Sequence, residues 1–262
     1  MKILTLNTHS YQEENQLEKL EYLAKIIKEE GYDVIALQEV NQFNSCDVID
    51  GEIKKSNYLL LLCNKLKEFG LNYNFRWDYH HVGYDIYDEG TGILYKGDAL
   101  LTEGDFVGNS KDTNFWKTRK FTMTSLEIGK EVVDFYSCHL GWWNDPDNPF
   151  EKQVDDLLDH MKKRGNKAFL MGDFNNSASI KNEGYDYLIK KGLYDTYTLA
   201  EKKDNGITVS GVIAGWEGKC SDSKRIDFIF TNTKVDVKSS LTIFNGENRD
   251  IISDHFGVEV IL

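Results

Sequence analysis

Proline is nearly absent from this 262-residue chain, at 2 residues against 21 glycines. That excludes a Pro-rich linker or spacer. Cysteine is scarce, and Cys46, Cys63, Cys138 and Cys220 form no CxxC pair. A zinc ribbon and a thioredoxin-type site are thereby excluded, and scattered thiols of this kind fit a reducing cytosol. Long apolar runs are missing too: the longest clear one, Tyr58 to Cys63, has six residues, against about 20 needed to span a bilayer. Met1 leads straight into Lys2-Ile3-Leu4-Thr5-Leu6, without the basic and apolar regions of a secretory signal, so the expected location is cytoplasmic. Basic residues are in deficit, 31 Lys and Arg against 43 Asp and Glu, for a net charge of −12. That balance weighs against a stable nucleic-acid complex and against an anionic membrane surface. A small anionic substrate is compatible with it, because a bound divalent cation reverses the local field.

What is present is the pattern of a mixed α and β protein. Residues 2–6 read as a strand. Leu17, Leu20, Leu23, Ile26 and Ile27 recur at helical spacing up to Gly31. Val34-Ile35-Ala36-Leu37 and Ala168-Phe169-Leu170-Met171 are unbroken apolar runs of strand length, expected of strands covered on both faces. Leu59, Leu62, Leu66 and Phe69 give a second helix. Val154, Leu157, Leu158 and Met161 give a third, and a short one is expected near 182–191. Residues 72–81 read as extended. Hairpins are expected over 91–106, turning at Lys96-Gly97-Asp98, and over 119–138, turning at Gly129-Lys130. Strands near 225–231, 235–243 and 257–261 close the chain. No repeat and no break in composition appears, so residues 1–262 are read as one domain, with mostly antiparallel sheets covered by helices.

Several strand ends carry a polar or ionisable group directly after apolar residues: Asn7, Glu39, His139, Asp173 with Asn175, and Asp254-His255. Asp227 sits between Ile226 and Phe228, where an unpartnered carboxylate is costly. Taken singly, each has a structural explanation: a solvated strand terminus for Glu39, an Asx turn for Asp173, a packed imidazole for His139. Taken together, carboxylates and an amide converging on one spot make a hard, oxygen-rich site suited to Mg²⁺ or Mn²⁺. Histidines near carboxylates add acid and base capacity and donors to an anion.

The series Leu6-Asn7, Leu37-Gln38-Glu39-Val40, Cys138-His139-Leu140, Gly172-Asp173-Phe174-Asn175, Arg225-Ile226-Asp227 and Ser253-Asp254-His255 resembles the motif series of the endonuclease/exonuclease/phosphatase superfamily. The resemblance covers nearly the whole chain. It implies an α+β fold, a four-layer α/β/β/α sandwich of two mostly antiparallel sheets flanked by helices, and Mg²⁺-dependent hydrolysis of a phosphoester, with Mn²⁺ as a substitute. It implies that Glu39 is the main metal ligand, with Asn7 and Asp254 beside it. Asp173 would position or deprotonate the attacking water, Asn175 would contact phosphate, Asp227 would pair with His255, and His139 would face the phosphate. Arg119 falls where relatives often carry a further phosphate-site residue, and reads equally as a surface charge.

Aromatic residues beside carboxylates and amides fill the tracts 76–89, 141–145 and 215–218. Rings that stack on a sugar face, with acceptors for its hydroxyls, have this composition. Tyr84, Asp85, Glu89, Trp142, Trp143, Asn144 and Trp216 are therefore expected at a polyol site, loop packing being the alternative for each. These tracts resemble the branch of the superfamily that includes a maltose 6'-phosphate phosphatase, which implies a small phosphorylated sugar as substrate. A nuclease or phosphodiesterase on the same fold is the rival reading.

Overall fold

The computed structural model describes residues 1–211 and 223–262. Two sheets carry the architecture. The seven-stranded sheet runs β12 (Lys202–Lys203), β16 (Ser239–Ile243), β17 (Gly257–Ile261), β1 (Lys2–Asn7), β2 (Val34–Phe43), β6 (Tyr87–Tyr95) and β5 (Asn74–Gly83). The six-stranded sheet runs β11 (Tyr194–Asp195), β15 (Asp227–Thr231), β10 (Lys167–Asp173), β9 (Glu131–His139), β8 (Arg119–Ile128) and β7 (Leu101–Val107). Two ribbons lie outside them, β3 (Val48–Asp50) with β4 (Ile53–Lys54), and β13 (Val209–Ser210) with β14 (Ser223–Lys224). Pairing is antiparallel except for β1 with β2, β9 with β10, and β12 with β16.

Burial explains the layering. Ile3, Val34, Ala36 and Ile93 of the first sheet meet Phe135, Phe169, Met171 and Ile229 of the second in one core between them. The opposite face of the first sheet is covered by α1 (Gln16–Glu30) and α2 (Tyr58–Glu68), through Leu20, Leu23, Ile27, Leu59 and Leu62. The outer face of the second is covered by α3 (Phe150–Arg164) and α4 (Gly184–Lys190), through Val154, Leu157 and Leu188. Apolar positions on both sides are why β2 and β10 read as unbroken runs rather than alternating ones. This is the four-layer α+β sandwich that the resemblance implies.

Three expectations are corrected. Residues 91–106 do not form a hairpin: β6 pairs with β2 and β5, β7 pairs with β8, and the turn after Tyr95 carries the chain from one sheet to the other. Leu17 is 66% exposed, because it sits in the first turn of α1, off the buried stripe. The strand expected from residue 235 begins at Ser239.

The link between β10 and β9 leaves no room for a side chain at Gly172. Its φ is 150°, and a Cβ there would lie 1.9 Å from the Cys138 carbonyl oxygen. Gly172→Ala is expected to destabilise the fold by roughly 3 kcal/mol, since a buried sheet must open to admit the methyl group. A urea midpoint equal to that of the wild type would contradict this.

Candidate active site

The polar strand ends meet at one edge of the two sheets, over a cleft of about 530 Å³. Asn7 ends β1, and its Nδ2 donates to Glu39 Oε1 at 2.8 Å and to Asp173 Oδ2 at 3.1 Å, tying the first sheet to the second. Glu39 lies in β2 at a bulge, where the register with β6 jumps between Leu37 and Val40, and its φ is 49°. A left-handed non-glycine residue is strained and persists only where its surroundings hold it. The segment after β1 does so: Thr8 Oγ1 donates to the Gln38 and Glu39 carbonyls at 2.9 and 3.2 Å, and Ser10 Oγ donates to the Glu39 carbonyl at 2.6 Å. Residues 7–10 therefore aim the carboxylate as well as accompany it.

In the second sheet Asp173 stands in register with His139 on one side and Asp227 on the other. Its Oδ1 accepts from the Asn175 backbone at 2.8 Å, and Asn175 Nδ2 donates to the Leu140 carbonyl at 3.0 Å. Asp227 lies behind the cleft, with His255 Nδ1 3.0 Å from its Oδ2. His255 Nε2 is 3.8 Å from Asp173 Oδ2. His139 Nε2 is 3.9 Å from Glu39 and 3.8 Å from Asp173, while its Nδ1 is 3.8 Å from Glu89 Oε1. These separations are too long for hydrogen bonds and leave space for a bound group among the side chains. Asp254 lines the cleft and lies 3.6 Å from His9 Nδ1. Glu13 accepts from His9 at 2.8 Å, and from Lys19.

Burial and like charge set the protonation states. Glu39 is pushed up to about 7 by burial and by the nearby Glu89 carboxylate. Asp173 is pushed up to about 7 by burial and by Asp227. Burial holds the His139 pKa well below its usual value, and the Arg119 guanidinium adds to this. At His255 burial opposes the charged ring, but Asp227 and Asp173 outweigh it and hold the pKa well above the ordinary range. A neutral imidazole and an imidazolium thus flank Asp173, His139 from the side of Glu39 and His255 from the side of Asp227. Ligand atoms of Glu39, His139 and Asp173 lie within 4.8 Å of one another. Two carboxyls held protonated to near neutrality, Glu39 by burial and Glu89, Asp173 by burial and Asp227, belong to a donor set that a divalent cation would relieve.

Sequence reasoning misses or misplaces several residues. Arg119 is no surface charge: it is 2% exposed, lines the cleft, and its Nε has no partner among the described residues. Glu89 is expected at a sugar rim but is buried between His81, 3.5 Å away, and His139, because β5 and β6 pair His81 directly with it. Tyr84 and Asp85 do line the cleft, at the tip of the β5–β6 turn, with φ of 49° and 60°. Trp142 lines it as well. Trp143 does not: half-buried, it packs on Phe150 and Tyr187 at 6.1 and 5.8 Å, against the core beneath α3 and α4. Asn144 is exposed and lies outside the cleft lining. Trp216 lies outside the described residues. Trp116 and Asn114 line the cleft without having been foreseen. Their stretch has turn character and no motif, and the ring itself is the only signal.

Paired sheets with carboxylates, amides and histidines gathered at their shared edge define a class of phosphoester hydrolases. The chain belongs to the endonuclease/exonuclease/phosphatase family, whose model matches residues 4–255. Among solved structures it is similar to an endonuclease/exonuclease/phosphatase family protein from Leptotrichia buccalis, at 37% identity and TM-score 0.94, covering 100% of this chain and 98% of that one. It shares its fold with a mannosyl-6-phosphatase of Bacteroides thetaiotaomicron, at 18% identity, TM-score 0.70 and coverage of 100% and 98%. It shares it also with truncated TDP2 of Caenorhabditis elegans, at 18% identity, TM-score 0.65 and coverage of 99% and 95%. Among curated proteins none matches the chain. No helix among the described residues is long and apolar enough to cross a membrane.

Proposed function

We propose that the protein is a Mg²⁺-dependent phosphatase that removes phosphate from a sugar phosphate such as maltose 6'-phosphate, with Mn²⁺ able to substitute. The observation that carries this reading is the lining of the cleft. Among the described residues Arg119 is its one lysine or arginine, and the outer walls carry Tyr84, Asp85, Asn114, Trp116 and Trp142. One guanidinium suits one phosphate group, whereas a nucleic-acid track needs a row of cations. Rings with amides and a carboxylate suit a polyol. The mannosyl-6-phosphatase on this fold is in keeping with it. No stable nucleic-acid complex and no membrane partner belong to this reading. A cytoplasmic site of action does, and the free Cys46, Cys63 and Cys138 accord with it.

In this mechanism Glu39, Asn7 and Asp254 would hold the cation, which would supply charge neutralisation for the phosphoryl group. Arg119 Nε, lacking any other acceptor, donates to a phosphate oxygen. The His255 imidazolium, oriented by Asp227, donates to a second oxygen through Nε2. Asp173, fixed by the Asn175 and Asn7 donors, takes the proton of the attacking water. His139, neutral and backed by Glu89, stands on the far side of Asp173 to relay to the leaving oxygen the proton that Asp173 takes from the water.

A nuclease or phosphodiesterase on the same fold is the rival reading. The test is phosphate release from maltose 6'-phosphate set against cleavage of single-stranded DNA and nicking of plasmid, at equal Mg²⁺ and with EDTA controls. The sugar phosphate is expected to be the faster substrate by at least about a hundredfold, the scale on which unpaired polar groups at a fitted site discriminate. Faster cleavage of the DNA overturns the reading.

A further inference from the structure

We infer that Trp116 is the ring platform that selects the sugar, beside Trp142 and in the place that sequence reasoning gave to Trp143; this rests on the sugar-phosphate reading. Trp116 lines the same cleft as Arg119 and Tyr84 and is 51% exposed, so its ring is open to a ligand in the cleft. Its ring meets Trp142 at 5.9 Å and 60°, and Lys117 Nζ lies 5.4 Å from its centroid. Lys117 is itself pinned by Asp145 and Asp147 at 2.7 and 2.8 Å.

The loop that carries the ring, residues 108–118, is held at every quarter. Asn148 Oδ1 accepts from the Asn109 backbone at 2.8 Å, and Asn148 Nδ2 donates to the Lys117 carbonyl at 2.7 Å. Gly108 makes that clamp possible, since a Cβ there would stand 2.0 Å from Asn148 Oδ1. The Val82 backbone donates to the Thr113 carbonyl at 2.8 Å, and Thr118 Oγ1 donates to the Asp112 carbonyl at 2.6 Å. An exposed ring on a loop fixed this firmly is a preorganised surface, so little freedom is lost when a ligand covers it.

The platform is also tied to the phosphate end of the cleft. Arg119 Nη1 donates to the Trp116 carbonyl at 2.9 Å and to the Thr118 carbonyl at 3.3 Å, while its Nε is left for an anion. One guanidinium thus fixes the backbone under the ring and faces the phosphate. The ring therefore reads the sugar unit that bears the phosphate, by contact with its C–H face, while Asn114 and Asp85 at the same rim offer acceptors to its hydroxyls.

The test uses Trp116→Ala and Trp116→Phe in the full chain, with maltose 6'-phosphate and the ringless glycerol 3-phosphate as substrates and unphosphorylated maltose as a binding probe. Trp116→Ala is expected to raise KM for maltose 6'-phosphate roughly tenfold with little change in kcat, Trp116→Phe to recover part of that loss, and glycerol 3-phosphate to be affected far less. Maltose is expected to quench the tryptophan fluorescence of the wild type, and its apparent affinity in that titration to fall in Trp116→Ala. Equal losses on the two substrates, an unchanged KM, or a maltose affinity unchanged in Trp116→Ala overturns the inference and leaves the sugar-phosphate reading standing. If the wild type turns over glycerol 3-phosphate as well as maltose 6'-phosphate, that reading fails and the platform with it.

Discussion

Glu39→Gln is expected to lower turnover on the order of a thousandfold at limiting Mg²⁺, because it deletes the anionic donor at constant shape and with it several kcal/mol of charge stabilisation. The bulge that aims residue 39 is held by backbone carbonyl bonds from Thr8 and Ser10, which glutamine leaves in place. The effect should therefore fall on the cation rather than on the fold. A pH dependence follows from the same group. Without a cation the Glu39 and Asp173 carboxyls are pushed up to about 7. A cation binds the carboxylate form, so below about pH 7 its binding must expel protons. Its affinity is then expected to fall by up to about tenfold per pH unit for each proton expelled, and to level off above that range. Calorimetric titration with Mg²⁺ or Mn²⁺ in two buffers of different ionisation heat reads the released protons directly. Proton release at pH 6 that is equal in the wild type and in Glu39→Gln, or undiminished turnover of the variant, would rule out Glu39 as the ligand.

Much of the arrangement around Glu39 is readable from sequence because buried strands announce themselves. An unbroken apolar run such as Val34 to Leu37 has both faces covered, so a polar residue at its end emerges at a sheet edge, and several such ends must share the edges available. Side-chain direction is less readable. The bulge at Gln38-Glu39 and the pairing of His81 with Glu89 depend on register with β6, which no single strand encodes. The turn at Lys96-Gly97-Asp98 signals a reversal but not which sheet receives the next strand. Loops have no period at all, so of two adjacent rings one, Trp142, faces the cleft and the other, Trp143, packs against the core beneath α3. Trp116 escapes for the same reason: its loop takes its shape from bonds such as those with Asn148, Val82 and Arg119, which no periodicity announces.

Asp227→Asn tests the other half of the site, where a charge acts through a neighbour. Asp227 is buried at the start of β15 and faces His255 Nδ1 from both carboxylate oxygens, at 3.2 and 3.0 Å. Burial alone would drive the ring toward neutrality, and the Asp227 charge reverses that. The sign follows directly. A histidine whose pKa is raised stays protonated through neutral pH, and removing the carboxylate lets the proton leave at lower pH. In Asp227→Asn the ring is then neutral at working pH and has lost its pull on the phosphoryl oxygens. Asp173 loses two influences at once: the Asp227 charge that raises its pKa and the His255 charge that lowers it. Turnover is therefore expected to fall about 10²–10⁴-fold with KM little changed, the range over which a positioned acid or base contributes. NMR of the His255 ring protons is the discriminating measurement, since a purely structural role for Asp227 would leave the titration of that ring where it was. A His255 titration midpoint unchanged between wild type and Asp227→Asn would remove the ion pair from the mechanism, whatever happened to the rate.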